Sequence, residues 1–136
     1  MPKFSTLSWQ RLMSCHSDII TVMKAVVEDF DITILCGYRD ESAQNAAYPK
    51  YTTVKYPDSK HNKQPSLAVD IIPYDMVRNH IVAWDDAESF ALMAGYVLGT
   101  AKQLGVNLRW GHDWNRNLLL SDETGKFVDR PHFELL

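Results

Sequence analysis

The sequence predicts an α+β fold in which helices pack on a small, largely antiparallel β-sheet. Helical and strand patterns follow one another in the order helix, strand, helix, strand, helix, strand, strand. The connections between strands include long loops rather than the regular crossover helices that join parallel strands. The chain has 136 residues, a length that favours one domain with a modest core. We therefore expect a single domain over residues 1–136.

The first part of the chain is predicted to form a helix, a strand and a second helix. Apolar residues recur at helical spacing from about Ser8, a suitable N-cap, to Asp29, which predicts one long helix. The β-branched residues of segment 31–36 predict a short strand. Residues 39–48 predict a short helix, because the backbone before Pro49 disfavours helical geometry.

The middle of the chain begins with a polar segment, residues 49–66, which is predicted to be a long loop. Long ordered loops in small domains often carry function. Residues 67–72 alternate as in a strand, which Pro73 should either end or mark as an edge strand. Residues 74–84 show no decisive pattern. A second long helix is predicted over residues 87–104.

The sequence also predicts the ends of the helix over residues 87–104 and the C-terminal elements. Asp85 or Asp86 can cap the helix, and Gly105 can follow its last turn. Residues 106–110 predict a third strand and residues 121–125 a surface turn. Residues 131–136 predict a last strand, whose even-numbered residues share one face.

Composition and charge exclude several classes of protein. Hydrophobic residues make up 46% and charged residues 23% of the chain, as in ordinary globular proteins. The net charge of −3 offers no basic surface, so we do not expect nucleic-acid binding. The apolar runs are too short for membrane insertion, and residues 1–5 lack the apolar region of a signal peptide. Cys15 and Cys36 form no C-x-x-C motif and are expected to be plain buried thiols.

Asp70 lies in a strand whose other residues are apolar and are predicted to be buried, so its carboxylate needs a partner. A buried, unpaired Asp70 would cost several kcal/mol. His61, Asp70 and His132 together offer two imidazoles and one carboxylate, the ligand number of a catalytic zinc site. Asp129, three residues before His132, is near enough in sequence to flank the same ion as a general base. Spacing alone leaves open the alternative that these histidines are ordinary core or surface residues.

Three motifs carry a family resemblance: residues 59–61 (Ser-Lys-His), residues 66–70 (ending Ala-Val-Asp) and residues 129–135 (Asp-Arg-Pro-His-Phe-Glu-Leu). In this order they resemble the zinc peptidases of the D-Ala-D-Ala carboxypeptidase/dipeptidase and L-alanyl-D-glutamate endopeptidase group, which includes many phage endolysins. Residues 37–39 with Gln44 resemble the arginine segment of that family. The resemblance extends from about Ile32 to the C-terminus and implies a fold of the D-Ala-D-Ala peptidase (hedgehog-like) type.

The resemblance also implies a role for each matching residue. His61, Asp70 and His132 would bind zinc. Asp129 would be the base that activates water and later protonates the leaving amine.

Two further residues receive substrate-related roles from the resemblance. Arg39 would stabilise the oxyanion or bind a substrate carboxylate, which suits its planar donor fork. Ser59 would orient the metal-binding loop or contact substrate.

The sequence departs from the family in a longer loop over residues 62–65, in Ser66 where glycine is common, and in Asp129 where many members have glutamate. His112 stands where phage members often have glycine, which leaves its role open.

The resemblance implies zinc-dependent hydrolysis of peptidoglycan stem peptides. By similarity to the phage members, the expected bond is that between L-Ala and D-Glu, cleaved by a monomeric endolysin that stays in the host cytoplasm until lysis and then acts on the cell wall. A D-Ala-D-Ala carboxypeptidase is one alternative. A non-catalytic, zinc-stabilised module that binds the cell wall or a protein is another.

Overall fold

The computed structural model describes residues 3–123 and 127–136. These residues form helices α1 (Thr6–Met13), α2 (Ser17–Asp29), α3 (Glu41–Ala47) and α4 (Ala87–Gln103), and strands β1 (Ile32–Cys36), β2 (Ala68–Asp75), β3 (His80–Ile81), β4 (Leu108–Trp110) and β5 (His132–Leu135). Short 3₁₀ helices cover Lys60–Asn62 and Leu120–Glu123.

The strands form one antiparallel sheet in the order β1-β2-β5-β4, with β3 paired to the end of β2. This sheet confirms the predicted α+β class. The last strand of the chain, β5, lies between β2 and β4. In this register Asp70 pairs with His132 on one side and with Cys36 on the other, so the sheet itself brings these side chains together.

The core lies between the sheet and helices α2 and α4. Its largest fully buried side chains include Ile19 and Met23 from α2, Phe90 and Met93 from α4, and Phe133 from β5. Burying each such side chain stabilises the fold by roughly 1.5–3 kcal/mol. Within the described part of the chain, no helix has the length and apolar character needed to cross a membrane.

The prediction of one long first helix is wrong, because the chain breaks between α1 and α2. Cys15 forms an isolated parallel bridge with Ser66. The His16 N–H donates to the carbonyl of Ser66 (2.8 Å), and the Ser66 N–H donates to the carbonyl of Ser14 (2.9 Å). These tertiary hydrogen bonds replace helical ones. The apolar spacing does not reveal the break, since Leu12 and the apolar side chains of α2 are buried in the same core.

The N-terminal caps of α1 and α2 also differ from the predicted single cap at Ser8. Ser5 caps α1, and its Oγ accepts a hydrogen bond from the Ser8 N–H (3.1 Å). Ser8, the predicted cap, is buried inside the helix, where its Oγ accepts from the Ile34 N–H (3.1 Å). His16 caps α2 through Nδ1, which accepts from the Asp18 N–H (3.0 Å).

Strand β2 continues past its predicted end. Pro73 lies within it, opposite Ile32, and the Pro73 carbonyl accepts from the Val82 N–H (3.0 Å). A strand can contain proline at a position where the backbone N–H would not have to donate a hydrogen bond to a neighbouring strand. The extra length pairs with β3, which lies in the segment that showed no decisive pattern.

The later elements agree better with the prediction. Helix α4 is capped by Asp86, whose Oδ1 accepts from the Ser89 N–H (3.1 Å). Gly105 follows the helix with φ of +73°, the left-handed conformation that favours glycine. Residues 121–123 of the predicted surface turn belong to a short 3₁₀ helix in which Glu123 is buried, while residues 124–125 lie outside the described part of the chain.

Candidate metal centre

The candidate ligands come from three elements that the sheet brings together: the 3₁₀ helix with His61, β2 with Asp70, and β5 with His132. Ser59 caps the 3₁₀ helix, because its Oγ accepts from the His61 N–H (3.2 Å) while its own N–H donates to Asn62 Oδ1 (3.1 Å). Asn62 Nδ2 then donates to the carbonyl of Arg39 (2.9 Å). These hydrogen bonds order the part of the predicted loop that carries His61.

Three potential ligand atoms form a nearly equilateral triangle. Asp70 Oδ1 lies 3.2 Å from His61 Nε2 and 3.1 Å from His132 Nδ1, and the two nitrogens are 3.3 Å apart. Zinc bonds of about 2.0–2.1 Å in tetrahedral geometry separate neighbouring ligand atoms by about 3.3–3.4 Å. The spacing and chemistry of this triangle therefore fit a tetrahedral zinc site with three protein ligands.

The other nitrogen of each imidazole is hydrogen bonded to an acceptor. His61 Nδ1 lies 2.7 Å from the carbonyl of Gly37, and His132 Nε2 lies 2.9 Å from Glu134 Oε1. Since both acceptors require N–H donors, we assign protons to these nitrogens, so His61 Nε2 and His132 Nδ1 are the nitrogens that would give their lone pairs to a bound metal. Both rings are nearly closed to solvent, with exposures of 2% and 8%. This arrangement is typical of metal-binding histidines.

The charges at the triangle are strongly coupled. Burial disfavours the ionised form of Asp70, but the adjacent His61 and His132 outweigh burial and hold the pKa of this carboxyl far below its usual range. Burial likewise opposes the charge of the imidazoles, but Asp70 raises the pKa of His61 to about 10, and the hydrogen bonds that His132 donates to Asp70 and Glu134 raise the pKa of His132 to about 9. The partly buried carboxylate of Asp70 is therefore paired with two imidazoles, as its position in a core strand requires.

Asp129 lies beside the triangle, with Oδ2 4.0 Å from His132 Nδ1. Its backbone N–H donates to the carbonyl of Gly111 (2.7 Å), and its carbonyl accepts from the His132 N–H (3.1 Å). Burial, reinforced by the negative charge of Asp70, raises the pKa of the Asp129 carboxyl. A carboxylate with a raised pKa next to the candidate ligands suits a general base.

Arg39 is anchored by buried polar groups rather than by a surface carboxylate. Its Nη1 donates to Gln44 Oε1 (3.0 Å), and its Nη2 lies 3.5 Å from Asp70 Oδ2. Gln44 is fully buried and donates from Nε2 to the carbonyl of Val54 (2.6 Å). The guanidinium is therefore held at the edge of the triangle, where it could bind a developing negative charge.

The two cysteines differ from each other. Cys15 is buried as predicted, and burial raises the pKa of its thiol to about 12. Cys36 is only partly buried, and its Sγ lies 3.8 Å from His61 Nδ1 and 3.8 Å from Arg39 Nη2. With His61 and Asp70 it makes a second set of potential metal ligands. The His61 nitrogen that Cys36 contacts, Nδ1, is already engaged by the Gly37 carbonyl, so we favour the triangle completed by His132.

A cleft of about 480 Å³ opens over these groups. Its described lining includes all six residues singled out from the sequence, namely Arg39, Ser59, His61, Asp70, Asp129 and His132. Four aromatic residues also line it: Tyr51, Trp84, Trp114 and Phe127. His112 is not among the described lining residues and instead packs edge-on against Trp110, with ring centroids 5.1 Å apart.

Glu134 supports His132 by accepting the hydrogen bond of its Nε2, a role that was not predicted from the sequence. Glu134 is 7% exposed, and its Oε2 lies 2.7 Å from Arg109 Nη2 and 3.3 Å from Lys60 Nζ. The two cations and His132 hold the pKa of Glu134 at about 2, although burial opposes its charge. One signal was available, because Glu134 and His132 share a face of the same predicted strand.

Comparisons with known proteins agree over the whole chain. Residues 1–136 match the family model described as phage L-alanyl-D-glutamate peptidase. An L-alanyl-D-glutamate peptidase of Escherichia phage T5 is 31% identical over 139 residues, covering 98% of each chain. The crystal structure of the L-Ala D-Glu endopeptidase ChiX from Serratia marcescens has the same fold, with a TM-score of 0.74 at 21% identity, covering 99% of this chain and 91% of that one.

Proposed function

Because the chain belongs to the phage L-alanyl-D-glutamate peptidase family, we propose that it is a zinc-dependent endopeptidase that hydrolyses the L-Ala–D-Glu bond of peptidoglycan stem peptides. The observation that carries the zinc assignment is the triangle of His61 Nε2, Asp70 Oδ1 and His132 Nδ1, with edges of 3.1–3.3 Å. Zinc held there would supply a Lewis acid and a bound water with a pKa lowered towards about 7.

The protein's own residues account for proton transfer and charge stabilisation. The reaction adds water across the amide: an oxygen joins the carbonyl carbon of L-Ala, and the bond to the nitrogen of D-Glu breaks. Asp129, next to the ligands and with a raised pKa, takes a proton from the water and returns it to the leaving amine. Such general acid–base catalysis contributes about 10²–10⁴-fold.

Arg39 and Ser59 serve the substrate and the metal-binding loop in this proposal. The Arg39 guanidinium, fixed by Gln44, donates to the oxygen that becomes negative when the carbonyl is attacked. Ser59 holds His61 through the cap of the 3₁₀ helix. We further propose that the chain acts as one monomeric domain on the cell wall during host lysis, after remaining in the cytoplasm.

The experiment is mass spectrometry of purified peptidoglycan after incubation with the protein as isolated, with a chelator, and with the chelator followed by zinc. We expect fragments with a new D-Glu N-terminus, lost with the chelator and restored by zinc. Release of D-Ala alone would replace this assignment by a carboxypeptidase. Zinc-loaded, folded protein that cleaves no wall preparation would favour a non-catalytic binding module.

A further inference from the structure

Three aromatic side chains that line the cleft are largely exposed: Tyr51 (70%), Trp84 (59%) and Phe127 (52%). Two of them stack on a second ring: Phe127 on Trp114 at 6.4 Å between centroids, and Trp84 on the fully buried Phe90 at 6.4 Å. A ring supported on one face and exposed on the other inside a ligand cleft is suited to binding an apolar surface of the ligand.

The Phe127 ring is tied to the candidate metal centre through Trp114. The Trp114 ring lies 5.8 Å from the His132 ring, and its Nε1 donates to the carbonyl of Phe127 (2.8 Å). The Arg109 guanidinium lies over the same indole, 5.5 Å from its centroid. Three neighbours therefore hold Trp114 in place. Phe127 stacks on Trp114, and Trp114 in turn contacts the ring of His132, a candidate zinc ligand.

The chemistry of the substrate says what should occupy this position. In a stem peptide, L-Ala is joined through a lactyl group to the muramic acid of the glycan strand. If the lactyl group counts as one residue, the sugar begins about 7 Å from the scissile carbonyl. The carbon-bound hydrogens of a pyranose ring form an apolar face that packs on aromatic rings. The apolar character of this sugar face matches the exposed ring of Phe127, which contacts the His132 ring through Trp114.

We propose that Phe127, supported by Trp114, binds the N-acetylmuramoyl sugar that carries the stem peptide. This inference rests on the proposed function, since it names the part of that substrate on the alanine side of the cleaved bond. It assigns Phe127 a role in substrate selection: the enzyme prefers stem peptides that are still attached to the glycan.

The test compares two soluble substrates of the zinc-loaded enzyme, a disaccharide-linked stem tetrapeptide and the same tetrapeptide with an N-acetyl group in place of the sugar. We expect Phe127→Ala to lower kcat/KM for the sugar-bearing substrate about 3–10-fold, the size of one lost ring-stacking contact. We expect kcat/KM for the acetylated peptide to change less than about twofold, because that peptide lacks the contact. Phe127→Trp, which keeps an aromatic ring at this position, should retain the preference for the sugar-bearing substrate.

The matched control is Trp9→Ala, since Trp9 is also a partly exposed ring stacked on another, Phe4, at 6.0 Å, and is not among the described lining residues of the cleft. It should leave both values unchanged. Equal losses on both substrates in Phe127→Ala, or no loss on either, would overturn the proposal. So would a selective loss in Trp84→Ala or Tyr51→Ala alone, which would place the sugar at another exposed ring of the cleft.

A binding measurement separates failure of this inference from failure of the proposed function. N-acetylmuramoyl-L-alanine, the expected product on the sugar side, should bind the zinc-loaded protein more tightly than N-acetyl-L-alanine in an NMR titration, and Phe127→Ala should remove the difference. If neither substrate is cleaved but this preference holds, the sugar site stands without the peptidase assignment. Equal binding of the two ligands would refute the sugar site, whatever the enzyme cleaves.

Discussion

The His132 ring donates a hydrogen bond from Nε2 to Glu134 Oε1 at 2.9 Å, two residues along the same strand. The other carboxylate oxygen of Glu134 is held by Arg109 at 2.7 Å and by Lys60 at 3.3 Å. Lys60 precedes His61, so one buried carboxylate links β4, β5 and the 3₁₀ helix. This contact keeps the proton of His132 on Nε2 and leaves Nδ1 directed at the triangle.

We expect Glu134→Gln to weaken zinc binding about 10–100-fold, the usual effect of losing the partner of a metal-binding histidine. The amide can still accept the hydrogen bond of His132, but it has no charge to strengthen that bond or to pair with Arg109. A competition titration with a chromophoric chelator measures the zinc Kd. Glu28→Gln is the matched control, because Glu28 is exposed on α2. Wild-type affinity in Glu134→Gln would refute a role for this contact in metal binding.

Asp129→Asn should leave zinc affinity and folding unchanged but lower kcat by about 10²–10⁴-fold, the range for losing a general base. An amide cannot take a proton from water. Kinetics on the disaccharide-linked peptide and the zinc Kd together decide the outcome, with Asp85→Asn, an exposed aspartate before α4, as the control. Full activity in Asp129→Asn would withdraw the base assignment, and lost zinc would make Asp129 a ligand instead.

Zinc binding should release protons. In the zinc-free protein the pKa of His61 is raised to about 10 and that of His132 to about 9, because Asp70 outweighs the effect of burial. Both imidazoles are therefore protonated at pH 7 and must lose those protons to bind metal. We expect release of close to two imidazole protons per zinc at pH 7, and fewer as the pH rises through about 9–10, measured by calorimetry in buffers of different ionisation enthalpy. No release at pH 7 would mean that these imidazoles are not the ligands.

The same shifts predict how the zinc-free fold responds to pH. Each histidine has a folded pKa above its unfolded value of about 6.5. Its contribution to stability is therefore fully present below pH 6.5 and is lost as the pH rises through about 9–10. Thermal unfolding in chelator should show Tm falling over this range, and zinc should remove most of the dependence. A Tm that rises over this range would contradict the assigned shifts.

The sequence predicted the candidate ligands because their residue types and their order along the chain are local information. Asp70 was recognisable as a carboxylate in a core strand, and the antiparallel pairing of β2 with β5 then places it opposite His132. Its role as a ligand remains a prediction. Support for His132 was missed although Glu134 shares its strand face, because the cations that hold Glu134 in place, Arg109 and Lys60, are distant in sequence. The break after α1 was missed for the same reason, because Ser66 causes it.

The close approach of Gly111 to Asp129 makes a final prediction. A Cβ at position 111 would overlap the backbone carbonyl of Asp129, whose N–H donates to the Gly111 carbonyl at 2.7 Å. Gly111→Ala must therefore push the candidate base away. Displacement of a catalytic group by about 1 Å can cost about 10²-fold in rate, and such overpacking costs about 1–3 kcal/mol of stability.

Gly99→Ala is the matched control, because an added Cβ inside α4 meets nothing within 4 Å. It should stabilise the protein by about 0.5–1 kcal/mol, the helix-propensity difference between glycine and alanine, with unchanged kcat. Denaturant unfolding, zinc titration and kinetics on both variants separate the effects. Gly111→Ala should lose rate, and the zinc titration shows whether His132, whose N–H donates to the displaced Asp129 carbonyl, moves as well. A variant with wild-type kcat would show that the position of Asp129 does not limit the reaction.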